Sequence, residues 1–255
     1  TVFDNWCWGE VHLGKPLAEH HNPYLGINGE ALLEDRLTPA SRQRRISVVG
    51  AGPAGLETAW VAAARGHQVT VYGASKLAGG RLRLDATLPG REEVGAIIDY
   101  QINKAQQYGV SLRLGQCVDA STVMATAPEA VVLATGATLR PPPSLAPNAD
   151  SITAADAYVV RLAPVVRQKR VLFFDMDHSG SAYAVVDLLA QRVDHVVLVT
   201  PRTHIAQNVN HCSAIGVHRR LNQAAVEIVT GHDLINFQRG TFTVRNVFTD
   251  QESEI

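Results

Sequence analysis

Three glycines spaced as Gly50-Ala51-Gly52-Pro53-Ala54-Gly55 separate an apolar, β-branched run, Ile46–Val49, from a stretch with helical spacing, Pro53–Ala64. That spacing serves a tight strand-to-helix corner. Gly50 permits the turn, Gly52 lets backbone approach a pyrophosphate, and Gly55 allows close packing of helix on strand. The exposed N–H groups and positive dipole end of the following helix complete a cradle for phosphates. The motif therefore predicts a dinucleotide-binding corner at the start of a βαβ unit. Its usual acidic partner at the end of the second strand, which holds the adenosine ribose hydroxyls, is replaced by Gly73. Ser75 supplies one hydrogen bond in its place, without the charge.

The pattern around this corner alternates strand and helix. Strands are expected at Ile46–Val49, Gln68–Tyr72, Val110–Leu114 and Ala130–Ala134, with helices at Pro53–Ala64 and Glu92–Tyr108. Pro141-Pro142-Pro143 breaks the series and marks a linker. A second series follows: strand Val171–Phe174, helix Ser181–Gln191, strand His195–Thr200, a looser region after Pro201, then strands Val226–Val229 and Thr241–Val247. The expected fold class is α/β. A Rossmann-like dinucleotide-binding domain, with a mostly parallel sheet and helices on both faces, precedes a second, smaller α/β domain. The boundaries are an irregular arm at 1–44, the first domain at 45–143 and the second at 144–255.

Charge argues against some partners. Net charge is -1 and only 18% of residues are charged, so no basic footprint for nucleic acid or an anionic membrane is present. No apolar run reaches the ~20 residues of a membrane span. Cys7, Cys117 and Cys212 are odd in number and far apart, which fits a reducing compartment, so a cytoplasmic location is expected. The low charge suggests a surface covered by another subunit, with ordinary variation as the alternative. His178 is expected at a strand's carboxyl end as a solvated loop histidine, and Cys117 as a small core residue just past a strand. Trp6 and Trp8 suit either an interface anchor or packing on their own domain. No catalytic residue is nominated.

Four motifs together carry a family resemblance. They are Val48–Glu57 around the glycine turn, Ala78-Gly79-Gly80-Arg81-Leu82, Leu88-Pro89-Gly90-Arg91-Glu92-Glu93, and Leu133-Ala134-Thr135-Gly136-Ala137. In order and spacing these resemble the C-terminal half of the Old Yellow Enzyme-like iron–sulfur flavoproteins, the family of 2,4-dienoyl-CoA reductase, trimethylamine dehydrogenase and histamine dehydrogenase. The resemblance implies FAD or ADP at the glycine turn. The cofactor would be lined by Gly50, Gly52, Pro53, Ala54, Gly55, Ser75, Gly80, Arg81, Leu82, Val118, Ala134, Thr135 and Gly136, and an empty site is the third possibility. Residues 1–23 resemble the family's cluster loop, but only Cys7 is a cysteine, with Thr1, Asp4 and Glu19 at the other ligand places. One thiolate among oxygen donors does not suit an iron–sulfur cluster, so the loop is read as having lost it. A different metal on Cys7, His20 and His21 is the sharper alternative.

In the family an FMN-binding TIM barrel precedes this half. The expectation is a nucleotide-binding subunit or fragment of a flavin-dependent oxidoreductase, working with an FMN barrel partner that does the chemistry. Ending before a strand that would complete a flavin pocket, the chain is expected either to take ADP rather than intact FAD or to be a truncated piece. The reductases of the family need a second glycine turn, but here it reads Asp175-Met176-Asp177-His178-Ser179-Gly180-Ser181, and acidic residues repel a pyrophosphate. Direct NAD(P)H binding is therefore not expected. Two alternatives stand beside this reading: a self-sufficient FAD-dependent NAD(P)H reductase, and a non-catalytic interaction module with a structural nucleotide.

Overall fold

The computed structural model describes residues 5–19, 25, 37–138, 170–238 and 240–255. The chain divides into two compact units, one of Thr1–Thr87 with Glu92–Ala137 and one of Leu88–Arg91 with Thr138–Ile255. Thr1–Asp4, His20, His21, Asn22-Pro23 and Pro141–Pro143 lie outside the described residues.

In the first unit, strands β1 (Arg45–Val49), β2 (Gln68–Gly73), β3 (Ser111–Leu114) and β4 (Ala130–Leu133) form one parallel sheet in the order β3-β2-β1-β4. Register is set by apolar residues that share a face: Val48 lies opposite Val71 on one side and Val132 on the other, and Val71 lies opposite Leu112. Helices α2 (Pro53–Ala64) and α4 (Gly95–Gln107) cover that face. Leu56, Ala59 and Trp60 of α2 are fully buried against Val48 and Val71. Trp60 also stacks on Tyr108 and meets the edge of Tyr100. Its Nε1 donates to Glu57 Oε2 at 2.7 Å, and Gln101 Nε2 donates to the same oxygen at 2.9 Å, so the α2–α4 junction is both apolar and bonded.

Four elements here differ from the sequence expectation. The arm holds a helix, α1 (Trp6–His12), rather than being irregular throughout. The stretch Glu92–Tyr108 begins as a 3-10 turn at Glu92–Val94 before α4 takes over. Short helices α3 (Leu82–Asp85) and α5 (Ala120–Met124) were not foreseen. α5 has a legible start in Asp119, whose carboxylate accepts the Thr122 hydroxyl at 2.6 Å, the Thr122 N–H at 2.7 Å and the Ser121 hydroxyl at 2.8 Å, and these bonds hold its pKa down at about 2.

In the second unit, β5 (Arg170–Phe174), β6 (His195–Thr200) and β7 (Glu227–Thr230) form a parallel sheet with β6 central. The apolar run of β6 has both faces covered, as a central parallel strand should. Val196 and Leu198 face helices α6 (Gly180–Ala190) and α7 (His211–Gln223). Val197 and Val199 face Leu234 and Val244, from β8 (His232–Gln238) and β9 (Thr241–Asn246). The last two pair antiparallel, and β10 (Glu252–Glu254) extends them. A β-layer, and not a second layer of helices, thus covers this face. The region after Pro201 is also less loose than expected. It leads into α7, whose N-cap Asn210 accepts from Ser213 N at 2.9 Å. Only Val217 and Leu221 of α7 are buried, an i,i+4 stripe too narrow to stand out in the sequence.

Candidate functional site: two strand-to-helix corners

The first corner is held together by backbone. Gly50, at φ +116°, donates its N–H to Tyr72 O at 2.8 Å, and Ala134 N donates to Val49 O at 2.8 Å. A Cβ on Gly50 would lie 2.1 Å from Ala134 O, and one on Gly55 would lie 1.9 Å from Gly50 O. No side chain fits at either place, so the glycines are required by contact as well as by torsion. Across the corner, Gly79 N donates to Ala51 O at 2.7 Å, and a Cβ on Gly80 would lie 3.0 Å from the Gly52 Cα. Gly50, Gly52, Pro53, Gly55, Gly80, Ala134 and Thr135 are therefore brought to one place.

Helix α2 opens this corner without a side-chain cap. Its N-cap is Gly52, which has no side chain to accept from the first turn, and Pro53 stands first in the helix. Leu56 N donates to Gly52 O at 2.9 Å. The earlier amides of Ala54 and Gly55 point from the helix start, where an anion is favoured. A Cβ on Gly52, by contrast, would meet nothing nearer than the Gly80 Cα at 3.9 Å, so bare backbone is left open beside the helix start, and this fits a pyrophosphate.

The other sequence-nominated residues are arranged around the cradle. Exposed Arg81 follows Gly80 as the N-cap of α3, with Leu82 first in that helix. Gly136, at φ +77°, follows Thr135 past the end of β4. Ser75 lies on the loop after β2 and is tied to the end of β3 by Gly115 N donating to Ser75 O at 2.9 Å; half-buried Val118 follows on that β3 side. Gly73 N-terminal to this loop is itself a packing requirement. A Cβ there would lie 2.8 Å from Ala51 Cβ and 2.9 Å from Leu114 Cδ2. The missing acid thus follows from packing that leaves it no room. Cys117 is exposed and not a core residue, because β3 ends at Leu114 and the chain has already left the sheet. The Tyr72 hydroxyl was missed by sequence reasoning: it is buried with no hydrogen-bond partner among the described residues, and the Arg113 guanidinium lies 5.8 Å from its ring centre.

The second corner, between β5 and α6, is filled by its own side chains. Asp175 Oδ1 accepts the N–H groups of Asp177 at 3.1 Å and His178 at 2.9 Å. Tyr183 donates its hydroxyl to Asp175 Oδ2 at 2.6 Å and accepts the Ala206 N–H at 2.6 Å. His178 is fully buried and not solvated as expected, with Nδ1 3.2 Å from the Tyr183 oxygen and Nε2 3.0 Å from Thr200 Oγ1. Since the Tyr183 proton goes to Asp175, Nδ1 donates to Tyr183 and Nε2 accepts from Thr200. A neutral imidazole satisfies every one of these contacts. Ser179 then caps α6 by accepting from Ala182 N at 3.3 Å. The loop after β6 closes over the corner, with Asn208 N donating to His178 O at 3.2 Å and Asn208 Nδ2 to Asp177 O at 2.6 Å. The only sequence signal for this was Asp175 and His178 at a strand end; Tyr183 and Thr200 read as ordinary helix and strand residues.

Burial pushes the His178 pKa below its ordinary value of 6.5, against the pull of the Asp175 and Asp177 carboxylates and helped by Arg202 and His204. Burial and the Asp175 hydrogen bond push the Tyr183 phenol above its usual range. Because the folded-state histidine pKa is depressed, its contribution to stability is full above about pH 6.5 and is lost as pH falls through that value toward the folded pKa. Urea midpoints should therefore fall from pH 7.5 to pH 5.5. His178→Asn, which suits the residue's φ of +57°, should flatten that dependence. An unchanged slope in the variant would show that another group is responsible.

Against known proteins, residues 44–255 match the model of the pyridine nucleotide-disulphide oxidoreductases. A probable N-methylproline demethylase of Rhizobium meliloti (strain 1021) is 28% identical over 235 residues, 90% of this chain and 33% of that protein. An N,N-dimethylglycine/sarcosine dehydrogenase of Chromohalobacter salexigens is 32% identical over 207 residues, covering 77% of this chain and 29% of its own. Among solved structures, 6-hydroxypseudooxynicotine amine oxidase of Pseudomonas geniculata N1 superposes on the whole chain with a TM-score of 0.88 at 26% identity, using 40% of that enzyme. Histamine dehydrogenase of Rhizobium sp. 4-9 does so with a TM-score of 0.86 at 24% identity and 39% of its length, which speaks to fold. The chain spans about a third of the length of the curated relatives it matches. Among the described residues no helix is long and apolar enough to cross a membrane. The chain belongs to the pyridine nucleotide-disulphide oxidoreductase family, and it is similar to one part of larger oxidoreductases.

Proposed function

We propose that this chain is the nucleotide-binding portion, as a subunit or a fragment, of a flavin-dependent oxidoreductase whose chemistry takes place in an FMN barrel component. One observation carries the reading: the two corners are opposites. At Gly50–Gly55 the helix start is uncapped and no side chain occupies the turn. At Asp175–Ser181 a carboxylate has taken the backbone N–H groups and a serine caps the helix. An anion has room at the first and none at the second.

On this reading the amides of Ala54 and Gly55 hold the diphosphate of ADP or FAD. Gly80, Arg81, Leu82, Ala134, Thr135 and Gly136 line the same cofactor, with Ser75 and Val118 toward the adenosine. An FAD bound there would supply two-electron flavin chemistry. The residues of this chain bind and orient the nucleotide, and none is assigned a proton. The second unit binds no NAD(P)H, which argues against a self-sufficient reductase. The iron–sulfur cluster is left out because Cys7 is the only thiolate in the arm. The FMN barrel is proposed because the curated relatives are about three times longer than the stretch they share with this chain.

An absorption spectrum and a nucleotide-release assay on the purified 255-residue chain test this. The expected result is about one equivalent of ADP or FAD, or micromolar uptake of either, with no spectral response to NADPH. Failure to take up any adenine nucleotide, or a yellow chain bleached by NADPH, contradicts it.

A further inference from the structure

The parallel sheet of the first unit has a polar face that the nucleotide corner does not use. We infer that this face holds a second ligand site, at the amino ends of the strands whose carboxyl ends carry the corner. The site takes a short polyol bearing an oxyanion, the chemistry shared by sugar acids and sugar phosphates. It stands apart from the nucleotide reading and does not rest on it.

Alternation along the strands gives the face its character. A parallel strand with apolar layers on both sides reads as a continuous apolar run, whereas β1, β2 and β3 alternate at their starts. Ile46, Val69 and Leu112 belong to the core on the helix side. Ser47, Thr70 and Ser111, each next to one of them in the chain, point the other way. Register sets Ser47 opposite Thr70 and Thr70 opposite Ser111. Three hydroxyls therefore stand in a row across neighbouring strands, roughly 10 Å from end to end. All three residues line one cavity of about 400 Å³. Their hydroxyls make no hydrogen bond among the described residues, although Ser47 is only 3% exposed. A hydroxyl buried that far is normally bonded, so the row is built for a guest with polar groups of its own.

A cation is fixed beside the row. Arg45 lies two residues before Ser47 on β1 and shares its face. Its Nε donates to Ala127 O at 3.0 Å, and Ala127 stands between Thr126 and Pro128, which line the same cavity. With Nε engaged, the two terminal amino groups of the guanidinium are left to hold a carboxylate or a phosphate as a pair of donors. His67 Nδ1 accepts the Arg44 N–H at 3.2 Å, so its proton is on Nε2, a further donor in the cavity wall. Among the described residues no Asp or Glu lines the cavity. Glu129, beyond Pro128, is engaged by Arg42 and by the Arg45 N–H. The oxyanion thus belongs at Arg45, and the polyol lies along hydroxyls that both donate and accept.

Amide-resolved NMR titration of the whole chain with gluconate and with glucose 6-phosphate tests the inference. Acetate, inorganic phosphate and sorbitol serve as the separate halves of these probes. At least one polyol anion should bind at about 1 mM or tighter, moving the Ser47, Thr70 and Ser111 resonances together. It should bind about tenfold more tightly than either of its halves. Which of the two does so distinguishes a sugar acid from a sugar phosphate. Ser47→Ala and Thr70→Val should each weaken this binding about three- to tenfold. Neither should lower the urea midpoint, because the hydroxyls removed have no partner in the free chain. Arg45→Gln should abolish the binding and Arg45→Lys should keep part of it. Three results would each overturn the inference: no binding of either polyol anion, acetate or phosphate binding as tightly as they do, or unchanged affinity in both hydroxyl variants. ADP binding at Gly50–Gly55 is read from separate resonances and is untouched by any of them.

Discussion

Gly55→Ala should abolish nucleotide binding and destabilise the first unit by about 3 kcal/mol or more, measured by ADP titration and urea unfolding. The added methyl would sit 1.9 Å from Gly50 O, and that atom belongs to backbone that cannot swing away. Relief requires α2 to retreat from β1. That movement carries the amides of Ala54 and Gly55 out of the cradle and opens the contact of Leu56 and Trp60 with Val48. Gly95→Ala is the control. At the start of α4 its Cβ would lie 3.7 Å from Ala86 Cβ, an ordinary contact, so stability should hold or rise by up to about 1 kcal/mol. A Gly55→Ala chain that unfolds and binds ADP like the parent would mean that the corner is looser than its contacts imply.

Asp175→Ala should cost about 3–5 kcal/mol in urea unfolding. It removes the acceptor for two backbone N–H groups and the Tyr183 hydroxyl, within a site where Asp175, His178, Tyr183 and Thr200 are all at or below 1% exposure. Tyr183→Phe should cost less, about 1–3 kcal/mol, because it leaves Asp175 Oδ2, the Ala206 N–H and His178 Nδ1 without their partner but keeps both backbone N–H bonds to Asp175 Oδ1. A loss under 1 kcal/mol for Asp175→Ala would show that the network is not what closes this corner.

The parallel strands and principal helices could be read in the sequence because each has its own periodicity and punctuation. Pro53 opens α2, Gly109 follows α4, and β6 is a continuous apolar run. The elements that were missed lack such local signals. α7 buries a stripe of two residues, and β8 declares itself only through Leu234 meeting β6 across the fold. The same division holds at the sites. The Gly50–Gly55 turn is a contiguous motif whose meaning is local. The second corner depends on Tyr183 and Thr200, which are 8 and 25 residues from Asp175 and reach it only once α6 and β6 have packed. His178 was read as solvated for that reason: nothing near it in the chain indicates that a helix and a loop will cover it. Gly73 could be recognised as a missing acid, but the contacts that forbid one come from Ala51 and Leu114.

The most direct test of the account is an amide-resolved NMR titration of the chain with ADP. The N–H resonances of Gly52, Ala54 and Gly55 should move together and saturate, while those of Asp177 to Gly180 stay in place. Stationary resonances at the first corner with saturable shifts at the second would contradict it.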